Sequence, residues 1–68
     1  METIGNRIAR LRTVSGWTQA KLAKELECSV NSVANWESGR TFPNAVMIIE
    51  LSKLFDVTTD YILKGGSR

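Results

Sequence analysis

Residues 18–39 read TQAKLAKELECSVNSVANWESG, and this stretch constrains the fold more than any other part of the chain. Thr18 has the short hydroxyl side chain that caps helix N-termini, and Ser29 repeats that signal. Gly39 can adopt the left-handed conformation that ends a helix. Only Glu27 and Cys28 lie between the end of the first helical pattern and the second cap. The stretch therefore predicts two short helices, over 18–26 and 30–38, joined by a tight turn.

The two predicted helices differ in what they bury. The first has four apolar positions, Ala20, Leu22, Ala23 and Leu26. The second has only Val33 and Trp36 for its inner side and turns small side chains outward, namely Asn31, Ala34, Asn35 and Ser38. One packed helix followed closely by a helix with a polar outer face matches the helix-turn-helix supersecondary unit, which predicts DNA binding.

Length and composition exclude several classes of function. A chain of 68 residues allows one small domain, and no apolar run approaches a membrane span. The sequence has no His and one Cys, which excludes a Cys/His zinc site, a disulfide framework and an imidazole-assisted nucleophile. It has neither a phosphate-binding glycine loop nor an export signal. We therefore predict no enzyme activity, cofactor, metal or small-molecule substrate, and a cytoplasmic location.

The net charge of +2 is unevenly distributed. All of the excess lies in residues 1–40, which contain the predicted helix pair, whereas the charges of residues 41–68 balance. This distribution agrees with a phosphate-facing surface on the first half of the chain.

Three further helices are predicted, over 3–14, 45–55 and 59–64, so the fold class is all-α with five helices and no strand. In the first helix, a buried stripe is expected at Ile4, Ile8, Leu11 and Ser15, with Arg7, Arg10 and Thr13 turned elsewhere. The folded domain is predicted to span residues 1–64. Gly65 and Gly66 end the last helix, and residues 65–68 are predicted to be a disordered tail or the start of a linker.

The fourth helix is apolar around much of its circumference. Its predicted core residues are Val46, Ile49 and Leu54, with an apolar girdle of Met47, Ile48, Leu51 and Phe55. Such a helix has apolar surface left over, so it is a candidate interface together with Tyr61, Ile62 and Leu63.

The turn between the paired helices is also unusual. Glu27 occupies the position where a left-handed residue is expected, which would strain it by about 1 kcal/mol. Cys28 precedes the cap Ser29 and lies at the spacing of a hydrophobic staple to Val33, so we interpret it as a small buried apolar residue.

Residues 4–64 resemble the Cro/CI-type (lambda-repressor-like, XRE-type) helix-turn-helix domains. The resemblance is carried by Ile4-Gly5, Arg12, Trp17-Thr18-Gln19, Leu22-Ala23, Ser29, Val33, Trp36-Glu37-Ser38-Gly39, Pro43 and residues 57–63 (VTTDYIL). Lys21 and Glu27 depart from the family pattern. The resemblance implies a compact five-helix DNA-binding domain, a bacterial or phage origin, and an internal ion pair between Arg12 and Glu37.

In such a domain the second helix of the pair would lie in the major groove. The predicted base-reading residues are Gln19, Val30, Asn31, Ala34 and Asn35. The predicted phosphate contacts are Thr18, Gln19, Arg40, Arg10 and Lys21. Because Asn pairs with adenine and this helix contains no Arg or Lys, half-sites that lean to A·T are expected.

One domain makes few contacts, so a homodimer on a palindromic double-stranded operator is expected. The predicted function is a sequence-specific transcriptional regulator that acts as a repressor. An alternative in another class remains open: a protein-interaction module, such as an antitoxin or adaptor, built on the same fold. Whether the chain is a whole protein or the DNA-binding part of a longer one also stays open.

Overall fold

The computed structural model describes residues 2–66, which form five α-helices. They are α1 (Ile4–Val14), α2 (Gln19–Leu26), α3 (Val30–Ser38), α4 (Ala45–Phe55) and α5 (Thr59–Lys64). No strand occurs within the described residues, so the all-α prediction is confirmed. The predicted bounds of the last three helices are correct. The predicted tail residues Ser67 and Arg68 lie outside the described residues.

Each helix begins at a polar cap residue with extended backbone. In every case a side-chain oxygen of the cap accepts a hydrogen bond from the main-chain N–H three residues later; the caps are Thr3, Thr18, Ser29, Asn44 and Thr58. These bonds satisfy donors that a helix leaves unpaired in its first turn. The first two helices therefore start one residue after their caps, at Ile4 and Gln19.

One hydrophobic core joins all five helices. Its buried apolar residues are Ile8, Leu11, Leu22, Ala23, Leu26, Val33, Trp36, Ile48, Leu51, Tyr61 and Ile62. The inner side of α3 packs on both α1 and α2, while α5 packs on α4 and α1. The contacts with α1 and α2 bury one side of α3 and leave its other side at the surface.

Glycine at position 5 allows α1 to approach the end of α3 closely. An added Cβ at Gly5 would lie 2.2 Å from the main-chain oxygen of Trp36, a distance at which no side chain fits. The missing side chain therefore sets the contact between the two helices, and it fixes where α3 ends relative to α1.

The predicted register of α4 was wrong in part. Val46 and Ile49 were expected in the core, but they are 62% and 45% exposed. Ile48 and Leu51 are buried instead, and Leu54 packs against the core as predicted. Because α4 is apolar on nearly every side, helical spacing alone did not distinguish its inner face from its outer face.

Three smaller expectations also fail, at Ser15, Ala20 and Arg7. Ser15 is exposed, because it is the C-cap of α1 and its hydroxyl donates to the oxygen of Leu11. Ala20 is exposed because it lies about 200° round the helix from Leu22.

Arg7 was expected on the outer side of α1 but is 5% exposed. Its guanidinium donates to three main-chain oxygens, those of Glu2, Ile62 and Leu63. Arg7 lies three residues after Ile4 and four before Leu11, so the spacing did place it on the inner stripe. The three carbonyl oxygens, with the Glu2 carboxylate 3.8 Å from Nη1, make the burial of this charge tolerable.

Candidate nucleic-acid interface

The outer face of α3 is a small polar surface. Asn31 is exposed, Asn35 one turn later is half-buried, and Val30 and Ala34 lie beside them at the same spacing. Within residues 2–66 neither asparagine amide has a hydrogen-bond partner. Both amides are therefore available to a ligand with complementary donors and acceptors.

The inner face of α3 explains why the outer face is fixed in position. Val33 is fully buried and Trp36 is 6% exposed, so the helix is held by these two side chains and by its contact with Gly5. The helix ends at Gly39, which is left-handed as predicted. No residue that the spacing assigned to the outer face is used to build the core.

The turn before α3 has the predicted left-handed residue. Glu27 has φ 57° and ψ 43°, a conformation that favours glycine. Cys28 is half-buried and packs against the core, and burial raises the pKa of its thiol. It therefore acts as a small apolar residue in the turn.

Gln19 is held at the start of α2 by a side chain of α3. Its Nε2 donates to Oε1 of Glu37 at 3.0 Å. The same carboxylate binds Arg12 through two bonds, from Nε at 2.7 Å and from Nη2 at 3.0 Å. The structure thus contains the Arg12–Glu37 ion pair that the resemblance implies, and adds Gln19 to it. The link to Gln19 was not foreseen, and the spacing of 18 residues carries no signal for it.

The ion pair is largely shielded from water. The side chains of Arg12 and Glu37 are 16% and 9% exposed, and Arg12 also donates to the oxygen of Trp17 at 2.7 Å. Its hydrogen bond to Glu37 raises the pKa of Arg12 above the ordinary value. The pair joins α1, α3 and, through Gln19, the start of α2.

The other predicted phosphate residues have different surroundings. Arg40 is exposed just after α3. The ammonium group of Lys21 bonds to Glu25 at 3.0 Å and lies 5.5 Å from the centre of the Trp17 ring. The hydroxyl of Thr18 caps α2, and the main-chain N–H groups of Gln19 and Ala20 point out of the helix end.

Arg10 is placed differently from the other predicted phosphate residues. It forms an ion pair with Glu2 and donates to the hydroxyl of Tyr61 at 3.3 Å. It therefore faces α5 and lies away from α3, because it is about 200° round α1 from Arg12. The structure thus separates Arg10 from the other four residues of the predicted phosphate set.

Two further findings bear on the kind of site. Among residues 2–66, no cluster of three or more His, Cys, Asp or Glu side chains could hold a metal ion. None of the described helices is both long and apolar enough to cross a bilayer.

Comparison with known proteins identifies relatives across nearly the whole chain. A family model described as "Helix-turn-helix domain" matches residues 5–67. The chain is 39% identical over 59 residues to the HTH-type transcriptional activator BcrR of Enterococcus faecalis, covering 87% of this chain and 29% of that protein. It is 40% identical over 63 residues to the HTH-type transcriptional regulator DicA of Escherichia coli, covering 93% and 47%. The chain thus spans less than half the length of both proteins.

A solved structure has the same arrangement of helices. It is the P22 c2 repressor protein in complex with a synthetic operator, which superposes with a TM-score of 0.91 and 33% identity. The match covers 97% of this chain and 100% of that one. With the family model, the sequence relatives and the fold in agreement, the chain belongs to the helix-turn-helix domain family of the Cro/CI, lambda-repressor-like type.

Proposed function

We propose that this domain is a sequence-specific double-stranded DNA-binding transcriptional regulator that reads the major groove with α3. The observation that carries the proposal is the pair of unpartnered amides, Asn31 and Asn35, on the outer face of α3. Asparagine pairs with adenine through two hydrogen bonds, and the neighbouring Val30 and Ala34 can contact thymine methyl groups. The P22 c2 repressor, which is similar in fold, binds an operator. Half-sites that lean to A·T follow.

Phosphate contacts would supply most of the affinity. The start of α2 offers the N–H groups of Gln19 and Ala20 to an anion, and the Gln19 side chain lies at the same point. Arg40 and Lys21 would add charge on either side. Arg10 is left out of this set because Glu2 and Tyr61 hold it on the side of α5.

A homodimer on a palindromic operator is the second part of the proposal. Tyr61 and Ile62, expected at the interface, are buried and contribute little to it. An apolar groove of about 340 Å³ is lined in part by the exposed side chains of Ile49 and Leu63. Phe42 and Val46 are further exposed apolar residues in this half of the chain. These side chains are the candidate contact between two copies, and a protein partner would favour the same groove under the alternative of an interaction module.

Relatives include both an activator, BcrR, and a repressor, P22 C2. We propose repression, because a small domain on an operator can block polymerase without further parts. The bacterial relatives and the phage relative support action in a bacterial cytoplasm, where the operator DNA lies.

Selection of bound sequences from random duplexes, at one stated salt concentration, tests the function directly. The expected result is a two-fold symmetric site with A·T-leaning half-sites. Replacing Asn31 or Asn35 by Ala should weaken binding to the selected site by about 1–3 kcal/mol, roughly five- to 150-fold. Thr13→Ala, an exposed change on α1 away from the candidate contact between copies, is the control and should leave the affinity unchanged.

The alternatives give different results. Salt-sensitive binding that ignores both asparagine substitutions, or no binding to any duplex, would favour the protein-interaction module. Guanine-rich half-sites would contradict the role of the two amides. Molar mass measured with and without the selected duplex separates a dimer from a monomer.

A further inference from the structure

Gln19 lies between two elements that carry opposite charge. Behind it is the Glu37 carboxylate, which accepts one N–H of the Gln19 amide. In front of it, under the proposed function, lies the DNA backbone. Phosphate oxygens only accept hydrogen bonds, and an amide NH₂ group has two hydrogens to donate. With one hydrogen held by Glu37, the second is available at the protein surface.

The Glu37 carboxylate would repel a nearby phosphate if it were unpaired. Its two bonds to Arg12 balance that charge, and Arg12 is itself fixed by the oxygen of Trp17. The carboxylate can therefore hold Gln19 close to DNA without the repulsion that a free anion would cause. A side chain that is already fixed loses less rotamer freedom when it binds.

We propose that Glu37 is a positioning residue for DNA binding: paired with Arg12, it orients the Gln19 amide so that the free N–H meets a backbone phosphate. The inference rests on the proposed function and adds a role to an ion pair that would otherwise serve stability alone. It connects the end of α3, the inner side of α1 and the phosphate contact at the start of α2.

The free wild-type protein provides the first test. Gln19 is the only glutamine in the sequence, so its side-chain NH₂ resonances can be identified without ambiguity. The expected result is slow, restricted motion of this amide by ¹⁵N relaxation, in contrast to the amide of Asn31, which has no partner. A Gln19 amide as mobile as that of Asn31 would overturn the proposal.

A double-mutant cycle on DNA affinity provides the second test. The background variant is Arg12→Met/Glu37→Met, which removes both charges together, since removing one alone would leave a poorly solvated ion. In wild type, Gln19→Ala should weaken binding about tenfold, as expected for a charge-assisted hydrogen bond. In the background variant the same change should weaken binding less than about twofold, because Gln19 is no longer oriented.

Lys24→Ala is the matched control, because Lys24 is exposed on the same helix and lies outside the network. It should change the affinity by the same factor in both backgrounds. Thermal unfolding of every variant separates positioning from stability, since a purely structural role would lower the Tm without changing the effect of Gln19→Ala.

The outcomes separate the two proposals. If Gln19→Ala weakens binding equally in both backgrounds, or not at all in wild type, Glu37 does not position it and the inference fails. If selection then still returns a site that needs Asn31 and Asn35, the proposed function stands. If wild type selects no duplex sequence, the proposed function itself fails.

Discussion

The turn between α2 and α3 and the turn between α4 and α5 have the same backbone design. Glu27 and Asp56 are both left-handed, with φ of 57° and 54°. The next residue in each turn, Cys28 or Val57, donates its N–H at 3.0 Å to an oxygen five residues back, the pattern of a Schellman helix end. A hydroxyl cap then starts the following helix.

The helices that follow these two turns differ in the side chains that they present to solvent. The outer face of α3 presents unpartnered amides, while α5 is short and buries Tyr61 and Ile62 against α1 and α4. Turn chemistry therefore determines how a pair of helices is joined, and the side chains on the free face determine what the pair can bind.

The largest expected effect on the free energy of unfolding concerns the packing of α4, the first helix of the α4–α5 pair. Ile48→Ala should lower the free energy of unfolding by about 2–5 kcal/mol, because Ile48 is buried. Ile49→Ala, the same change one residue later, should cost less than about 1 kcal/mol, since its side chain is 45% exposed. Urea unfolding of both variants measures the difference, and equal losses would show that the packing of α4 is misassigned.

Removal of either helix cap should lower the stability by a similar amount, but only one removal should weaken DNA binding. Ser29→Ala and Thr58→Ala each remove one cap hydrogen bond, to the N–H of Ser32 or Tyr61, and each should cost about 1 kcal/mol. Only the first variant loosens the start of α3, so only it should weaken binding to the selected duplex at a temperature where both remain folded. An equal loss of affinity in Thr58→Ala would remove this distinction between the two pairs.

Replacing the two residues with positive φ by glycine should stabilise the protein. Glu27→Gly should raise the free energy of unfolding by about 0.5–1 kcal/mol, because glycine adopts positive φ without steric cost. Asp56→Gly should gain less, since aspartate tolerates this conformation better than glutamate. Chemical denaturation of the two variants tests the order, which a larger gain at position 56 would reverse.

The smallest effect should appear at alkaline pH. Burial raises the pKa of the Cys28 thiol in the folded state, so folding favours the protonated form. The unfolded chain then loses its proton first, and the free energy of unfolding falls as the pH rises above about 8.5. Cys28→Val makes this turn resemble the one at Val57 and should remove that part of the loss. Identical pH profiles for wild type and variant between pH 8 and 10 would contradict the assignment.

Local signals in the sequence predicted the helices well. Cap and terminator residues act over only a few positions, so they can be identified in the sequence. Ser29 and Gly39 set the bounds of α3, and Asn44 and Thr58 mark the starts of α4 and α5. The outward positions of Asn31 and Asn35 followed from the same helix, because only Val33 and Trp36 could serve its inner side. Where polar and apolar residues alternate clearly, spacing identifies the buried face.

Contacts between distant residues could not be predicted from spacing. The inner face of α4 depends on which neighbours cover it, and its apolar sequence allowed several answers. The burial of Arg7 depends on carbonyl oxygens more than fifty residues away. The bond from Gln19 to Glu37 likewise exists only once α2 and α3 are packed, so sequence reasoning assigned Gln19 to DNA alone.

The burial of Arg7 has a consequence for how the domain opens. A helix of six residues such as α5 has little stability of its own. Opening its last turn would remove two hydrogen-bond acceptors of the guanidinium, the main-chain oxygens of Ile62 and Leu63, and leave only those of Glu2. The end of α5 is therefore coupled to α1, and its amide protons should exchange with solvent more slowly than those of a terminal turn without such bonds.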